Sequence, residues 1–225
     1  MTTIAVFAGY GGSDAGAVAN GRREEDITLE VSNAVTALLQ KWGYTVINNR
    51  TTNINRNITA DALLAKESNA DALIEIHMNS NDGKPGSGAE AFISIKDKER
   101  ARILASTILQ RLEKLGYPNR GVMTSVNAVG RDSFGILRMT EMPAVLLECA
   151  FINNPEEMAH FNIDEEATAI AESIRDVFPL NGSSNEGALP AFSGGALQLG
   201  SKGDSVWQVQ HCLNRVACVS PTPSL

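Results

Sequence analysis

Apolar residues recur along this chain in two rhythms, one of period two and one near 3.6, and the switches between them mark out strands and helices. Thr3-Ile4-Ala5-Val6-Phe7 predicts a first short strand, which runs into the glycine-punctuated Gly9-Tyr10-Gly11-Gly12-Ser13-Asp14-Ala15-Gly16. From Glu24 to Trp42 the apolar positions Ile27, Val31, Ala34, Val35, Leu38 and Leu39 fall at helical spacing, with Gly43 as the stop signal. A strand over Tyr44–Asn48 and a helix over roughly Thr59–Ser68 follow. The stretch Asp71–Ser80 reads as a buried strand that delivers His77 to its C-terminal end, the end at which open α/β sheets bind ligands.

Beyond a polar loop at 79–88, Ala89–Ile95 alternates like a strand nearer the sheet edge. A long helix over Lys96–Leu115 carries the stripe Ala101, Leu104, Ala105, Ile108, Leu109, Leu112 and Leu115. Residues 117–133 read as loop, Phe134–Met139 as a short strand and Pro143–Phe151 as the most apolar strand of all. Asn153-Asn154-Pro155-Glu156-Glu157 caps a short helix, and Asp164–Val177 forms the last long one. The pattern predicts an α/β fold: a single, mostly parallel twisted sheet of about six strands flanked by helices on both faces, plus a short C-terminal helical segment.

The composition changes after Pro179. Residues 1–179 form the expected main domain, 180–196 a flexible linker around Asn181-Gly182-Ser183-Ser184-Asn185-Glu186-Gly187, and 197–225 a segment with one amphipathic helix capped near Asp204. One helix cannot bury a core of its own, so this segment reads as a fragment or a docking element.

Charge narrows the partners. A net charge of −7 and a sequence pI near 5.0 leave no basic stripe for nucleic acid. Charges interrupt the apolar runs well before the ~20 residues a membrane span needs, and no leader-like segment is visible at the N-terminus. Cys149, Cys212 and Cys218 form no even disulfide framework; Cys149 sits in an apolar run, and a Cys212–Cys218 bridge is allowed but required by nothing. Neither phosphate-binding glycine pattern occurs in the loop at 9–16.

Three polar residues at the edges of regular elements carry the candidate chemistry. Glu24 opens the first helix, where the helix dipole alone would favour an acid. His77, taken alone, reads first as a core histidine hydrogen-bonded to a neighbour, and it is the company of Glu24 and Glu148 that shifts the balance. Glu148 is the anomaly: a carboxylate in the most apolar strand costs several kcal/mol unless it is exposed, paired with a cation or protonated.

In order and spacing, Gly9-Tyr10-Gly11-Gly12, Glu24-Glu25-Asp26-Ile27, Ile76-His77-Met78-Asn79, and Pro143 to Glu148 followed by Phe151-Ile152-Asn153-Asn154-Pro155-Glu156-Glu157 resemble the motifs of zinc-dependent N-acetylmuramoyl-L-alanine amidases of the amidase-3 type. The match spans roughly residues 3–178. The resemblance implies a peptidoglycan hydrolase that cuts between muramic acid and the L-alanine of the stem peptide. It implies Zn2+ held by Glu24 and His77 with either Tyr10 or water completing the set, Glu148 as general base, a monomer, and an extracellular or cell-wall location. Position 10, where the family places its first ligand histidine, holds Tyr10, and Phe7 and Ala8 stand where Asp and Pro are usual. His160 and His211 are no obvious substitutes. The alternative is therefore a catalytically impaired amidase fold that binds peptidoglycan or a protein, and beyond it an unrelated α/β domain in which Glu24 caps a helix and His77 is core. The tail resembles the first half of a three-helix peptidoglycan-binding repeat, without the Asp-Gly-x-Phe-Gly continuation.

Overall fold

A computed structural model describes residues 1–96 and 98–180, so the expected C-terminal segment and all but the first residue of the expected linker lie outside the described residues. The elements in chain order are β1 (Thr3–Ala8), β2 (Val18–Ala19), β3 (Arg22–Arg23), α1 (Glu24–Lys41), β4 (Thr45–Ile47), α2 (Ile58–Glu67) and β5 (Ala72–Asn79). They continue as β6 (Ala89–Ile93), α3 (Glu99–Lys114), β7 (Asn119–Met123), α4 (Gly135–Met139), β8 (Ala144–Phe151), α5 (Pro155–His160) and α6 (Ile163–Val177).

Six strands form one sheet in the order β4-β1-β5-β8-β6-β7, with β2 and β3 pairing separately as a small antiparallel ribbon. Every neighbouring pair in the sheet is parallel except β6 with β8. The most apolar runs, β5 and β8, take the two central places, as strands covered on both faces should. Ile74, Ile76 and Met78 of β5 and Val145, Leu147 and Cys149 of β8 join a core with Val31, Leu39, Leu104, Ile108, Ile170 and Ile174 of α1, α3 and α6. The opposite face, with Phe7, Leu73 and Leu146, packs against Ala62 and Ala65 of α2 and Ile136 and Leu137 of α4. Helices thus cover both faces, as the pattern predicts.

Asparagine side chains cap α2, α5 and α6. Asn57 caps α2 by accepting from the Ala60 amide, Asn154 caps α5 ahead of Pro155, and Asn162 accepts from Asp164 and Glu165 at the start of α6. Gly43, at φ +96°, ends α1 where expected. Among the described residues no helix is long and apolar enough to cross a membrane.

Two assignments need correction, and they offset each other in the strand count. Phe134–Met139 is not a strand: Gly135–Met139 is the short helix α4, with Phe134 as its N-cap residue. A run this short has no decisive period, and burying Ile136 and Leu137 against α2 decides it as helix. The missing strand is β7, within the stretch read as loop; with one hydrogen-bonded neighbour and little apolar surface, Asn119-Arg120-Gly121-Val122-Met123 gives no strand pattern. β7 is the edge, so β6 sits one strand in from it.

Glu166 of α6 is fully buried, and neither carboxylate oxygen has a hydrogen-bond partner of good geometry. Burial pushes it up to about 8, with the neighbouring Tyr117 lowering it only in part. Its folded value exceeds the ordinary 4.5, so its stabilising protonated form is fully present below about pH 4.5 and is lost as pH rises towards 8. Glu166→Gln is expected to melt close to the wild type near pH 4.5 and progressively higher than it up to about pH 8, read by thermal denaturation across that range. A constant offset between the two curves would contradict a buried neutral acid.

Candidate active site

Parallel strands end at a common edge, and the candidate residues gather there. Register places His77 of β5 beside Glu148 of β8, and Glu148 beside Glu90 of β6. Paired neighbours share a face, so His77, Glu148 and Glu90 form one polar row across three strands. It lies on the face that carries Phe7, Leu73 and Leu146. Along β5, Glu75, His77 and Asn79 fall at alternate positions on that face, while Ile74, Ile76 and Met78 point into the opposite core.

Glu24, the first residue of α1, reaches this row from the helix N-terminus. Its Oε1 lies 3.1 Å from His77 Nδ1 and accepts from the Met78 amide at 2.9 Å, while its Oε2 accepts from the Ala17 amide at 2.9 Å. Glu75 lies on the other side of the imidazole, Oε2 3.7 Å from Nε2. Burial pulls the His77 imidazole down, but hydrogen bonds to Glu24 and Glu75 and the charges of Glu75 and Glu148 raise it to about 10. Burial likewise pushes Glu75 up, and His77 and Arg56 outweigh it to hold the carboxyl below its ordinary range. Arg56 donates to Glu75 at 2.6 Å and also to Asp61, so this cation is consumed inside the fold.

Tyr10 leaves β1 with φ +57°, and its ring meets the His77 ring edge-on with centroids 5.2 Å apart. Gly16 makes room: a Cβ there would lie 2.5 Å from the Tyr10 ring and 2.6 Å from Glu24 Oε2. The buried Arg50 pins the loop to α1, donating from Nη2 to the carbonyls of Gly9 at 2.9 Å and Glu25 at 2.7 Å. Burial and the charges of Glu24, Glu148, Asp14 and Glu75 raise the Tyr10 phenol, so it stays neutral at ordinary pH.

Glu148 lies within β8, and its Oε2 is buried with no hydrogen-bond partner. Burial carries it up to about 7, against the lowering influence of His77. The carboxyl can therefore both take and give a proton near neutral pH.

The structure brings Tyr10, Glu24, His77 and Glu148 together. His160, stacked on Tyr117 with centroids 5.0 Å apart, takes no part, and His211 lies outside the described residues. Sequence reasoning missed Glu75 and Glu90, although each interrupts an apolar strand as Glu148 does. It also missed the role of Glu157, buried in α5, whose carboxylate holds Ser87, Gly88 and the Phe151 amide and so ties the 79–88 loop to the end of β8.

A catalytic zinc takes three protein ligands and keeps one position open. Glu24 and His77 fit as two of them by donor type, a carboxylate oxygen and an imidazole nitrogen that meet 3.1 Å apart in a hydrogen bond an ion would replace. A neutral phenol at Tyr10 adds no third. Among the described residues no three His, Cys, Asp or Glu side chains are arranged to hold a metal ion.

A family model described as N-acetylmuramoyl-L-alanine amidase matches residues 4–177. The endolysin of Bacillus phage SPP1 is 31% identical over 172 residues, covering 73% of this chain and 60% of the endolysin. The N-acetylmuramoyl-L-alanine amidase LytC of Bacillus subtilis is 27% identical over 176 residues, covering 77% of this chain and 34% of LytC. The crystal structure of an N-acetylmuramoyl-L-alanine amidase from Clostridium difficile 630 superposes with a TM-score of 0.72 at 27% identity, covering 80% of this chain and 98% of that one. The chain thus spans little more than half of the phage endolysin and about a third of LytC. With the matched model running from the first strand through the last helix, this chain belongs to the amidase-3 family of N-acetylmuramoyl-L-alanine amidases.

Proposed function

We propose that this chain hydrolyses the amide between N-acetylmuramic acid and the L-alanine of the peptidoglycan stem, with Glu148 carrying the proton. The observation behind this reading is the orphaned Oε2 of Glu148 in the row with His77, held near pH 7 by burial. An ionised Glu148 takes the proton of the attacking water, and the protonated acid returns it to the leaving alanine nitrogen, so one group serves both half-steps. Asn79 donates to Glu90 at 2.7 Å, which fixes that carboxylate in place beside Glu148.

Glu24 and His77 would hold a zinc ion, weakly, because they are two protein ligands where three are usual. When bound, zinc supplies Lewis acidity to the scissile carbonyl and acidity to a bound water. Tyr10 favours a second reading, in which the cleft binds the stem peptide without cutting it.

Purified peptidoglycan incubated with the protein and added zinc separates the two. Release of peptides with a free L-alanine amino group, absent in chelator, is the expected result. Sedimentation with the wall in both conditions without release would leave the binding reading. Neither sedimentation nor release would remove peptidoglycan as the ligand.

A further inference from the structure

The row His77–Glu148–Glu90 continues onto β7 through an irregularity. Ala89 pairs with Asn119 and Ala91 with Val122, so Arg120 and Gly121 together oppose the single residue Glu90. Extra residues of this kind bend an edge strand and re-aim a side chain, and Gly121 supplies the backbone freedom at φ +99°. Arg120 is turned back over the row: its Nε donates to Glu90 Oε2 at 2.5 Å, Nη1 reaches the Ser87 carbonyl at 3.4 Å, and the guanidinium lies 5.1 Å from the centre of the Phe151 ring.

Glu148 and Glu90 of the row repel a carboxylate when ionised, and the His77 imidazole is already engaged between Glu24 and Glu75. Arg56 is spent on Asp61 and Glu75 with 10% of its side chain exposed, and Arg50 is buried against carbonyls. Arg120 keeps 39% of its side chain exposed, and among the described residues its Nη2 has no hydrogen-bond partner. A guanidinium held through Nε, Nη1 and one face, with Nη2 unpaired, keeps donors to receive a carboxylate.

We propose that Arg120 binds the free α-carboxylate of the second stem residue, a D-glutamate joined through its γ-carboxyl. The spacing suits this substrate. Strands ~4.8 Å apart put the Glu90 column roughly 10 Å from His77. Two extended residues at ~3.4 Å each carry the peptide about 7 Å beyond the scissile carbonyl, near Glu148 and towards Arg120. The assignment rests on the reading that the cleft takes the stem peptide and holds whether or not the bond is cut.

Calorimetric titration in chelator, with L-alanyl-γ-D-glutamyl-L-lysine and with its α-amide, tests it without turnover. The wild type is expected to bind the free acid about tenfold tighter than the amide, as loss of a charged hydrogen bond implies. Arg120→Gln is expected to bind both peptides alike and about as weakly as the wild type binds the amide, while Arg120→Lys keeps part of the preference. Equal binding of the two peptides by the wild type would overturn the role of Arg120 alone, and that comparison needs no variant to fold. Binding of neither would overturn stem recognition itself, and the role of Arg120 with it.

Discussion

Replacing Glu148 with glutamine is expected to slow release of stem peptide from peptidoglycan by about 10²–10⁴-fold, the range that general acid–base catalysis contributes. Glutamine matches the carboxyl in size but neither takes nor gives a proton. Stability separates this loss from misfolding. Burial raises Glu148 from 4.5 to about 7, so the stability that its proton supplies is full below about pH 4.5 and lost as pH rises towards 7. A neutral amide is free of that loss, so the variant should melt no lower than the wild type above pH 7 while being almost inactive. Unchanged turnover in Glu148→Gln would remove the proposed base.

Tyr10→His is expected to raise zinc in the purified protein from well below one equivalent to about one, measured by elemental analysis. Three facts support this size of effect. Glu24 and His77 already meet, 3.1 Å apart, in a hydrogen bond that an ion would replace. The Tyr10 phenol is held neutral by burial and by four surrounding carboxylates, so it is a poor ligand where an imidazole would be a good one. Its backbone, at φ +57°, lies in a region where histidine is several-fold enriched, so the substitution needs no rearrangement of the loop. Stem-peptide release should rise with the zinc. One equivalent in both proteins would show that the existing side chains complete the site, and none in either would argue that Glu24 and His77 do not hold the metal.

Local pattern made most of the fold legible. The stripes of α1 and α3 and the apolar runs of β1, β5 and β8 each bury one or both faces, and such runs state their structure without reference to partners. Glu24 and His77 were legible as a pair through the motif order, and Glu148 through its cost in an apolar strand. The sequence fell short where burial is slight or the segment short. β7 has one paired neighbour and therefore no pattern, and α4 is a five-residue run whose state is decided by α2. Glu75 and Glu90 were overlooked because each looks like an isolated polar residue until its neighbours are known.

By itself, then, the sequence determined the α/β class, the central strands and the boundaries of the long helices to within a few residues, and it singled out Tyr10, Glu24, His77 and Glu148 as candidates. Tertiary structure alone decided which side chains meet. Strand order and register are set by long-range pairing, so no local window shows that Glu148 stands between His77 and Glu90. Nor does any local window show that a bulge in an unpatterned edge strand brings Arg120 back to the same row. The charge states follow the same logic: the raised proton affinity of Glu148 and the neutrality of Tyr10 come first from burial and then from neighbouring carboxylates, which only the folded chain assembles.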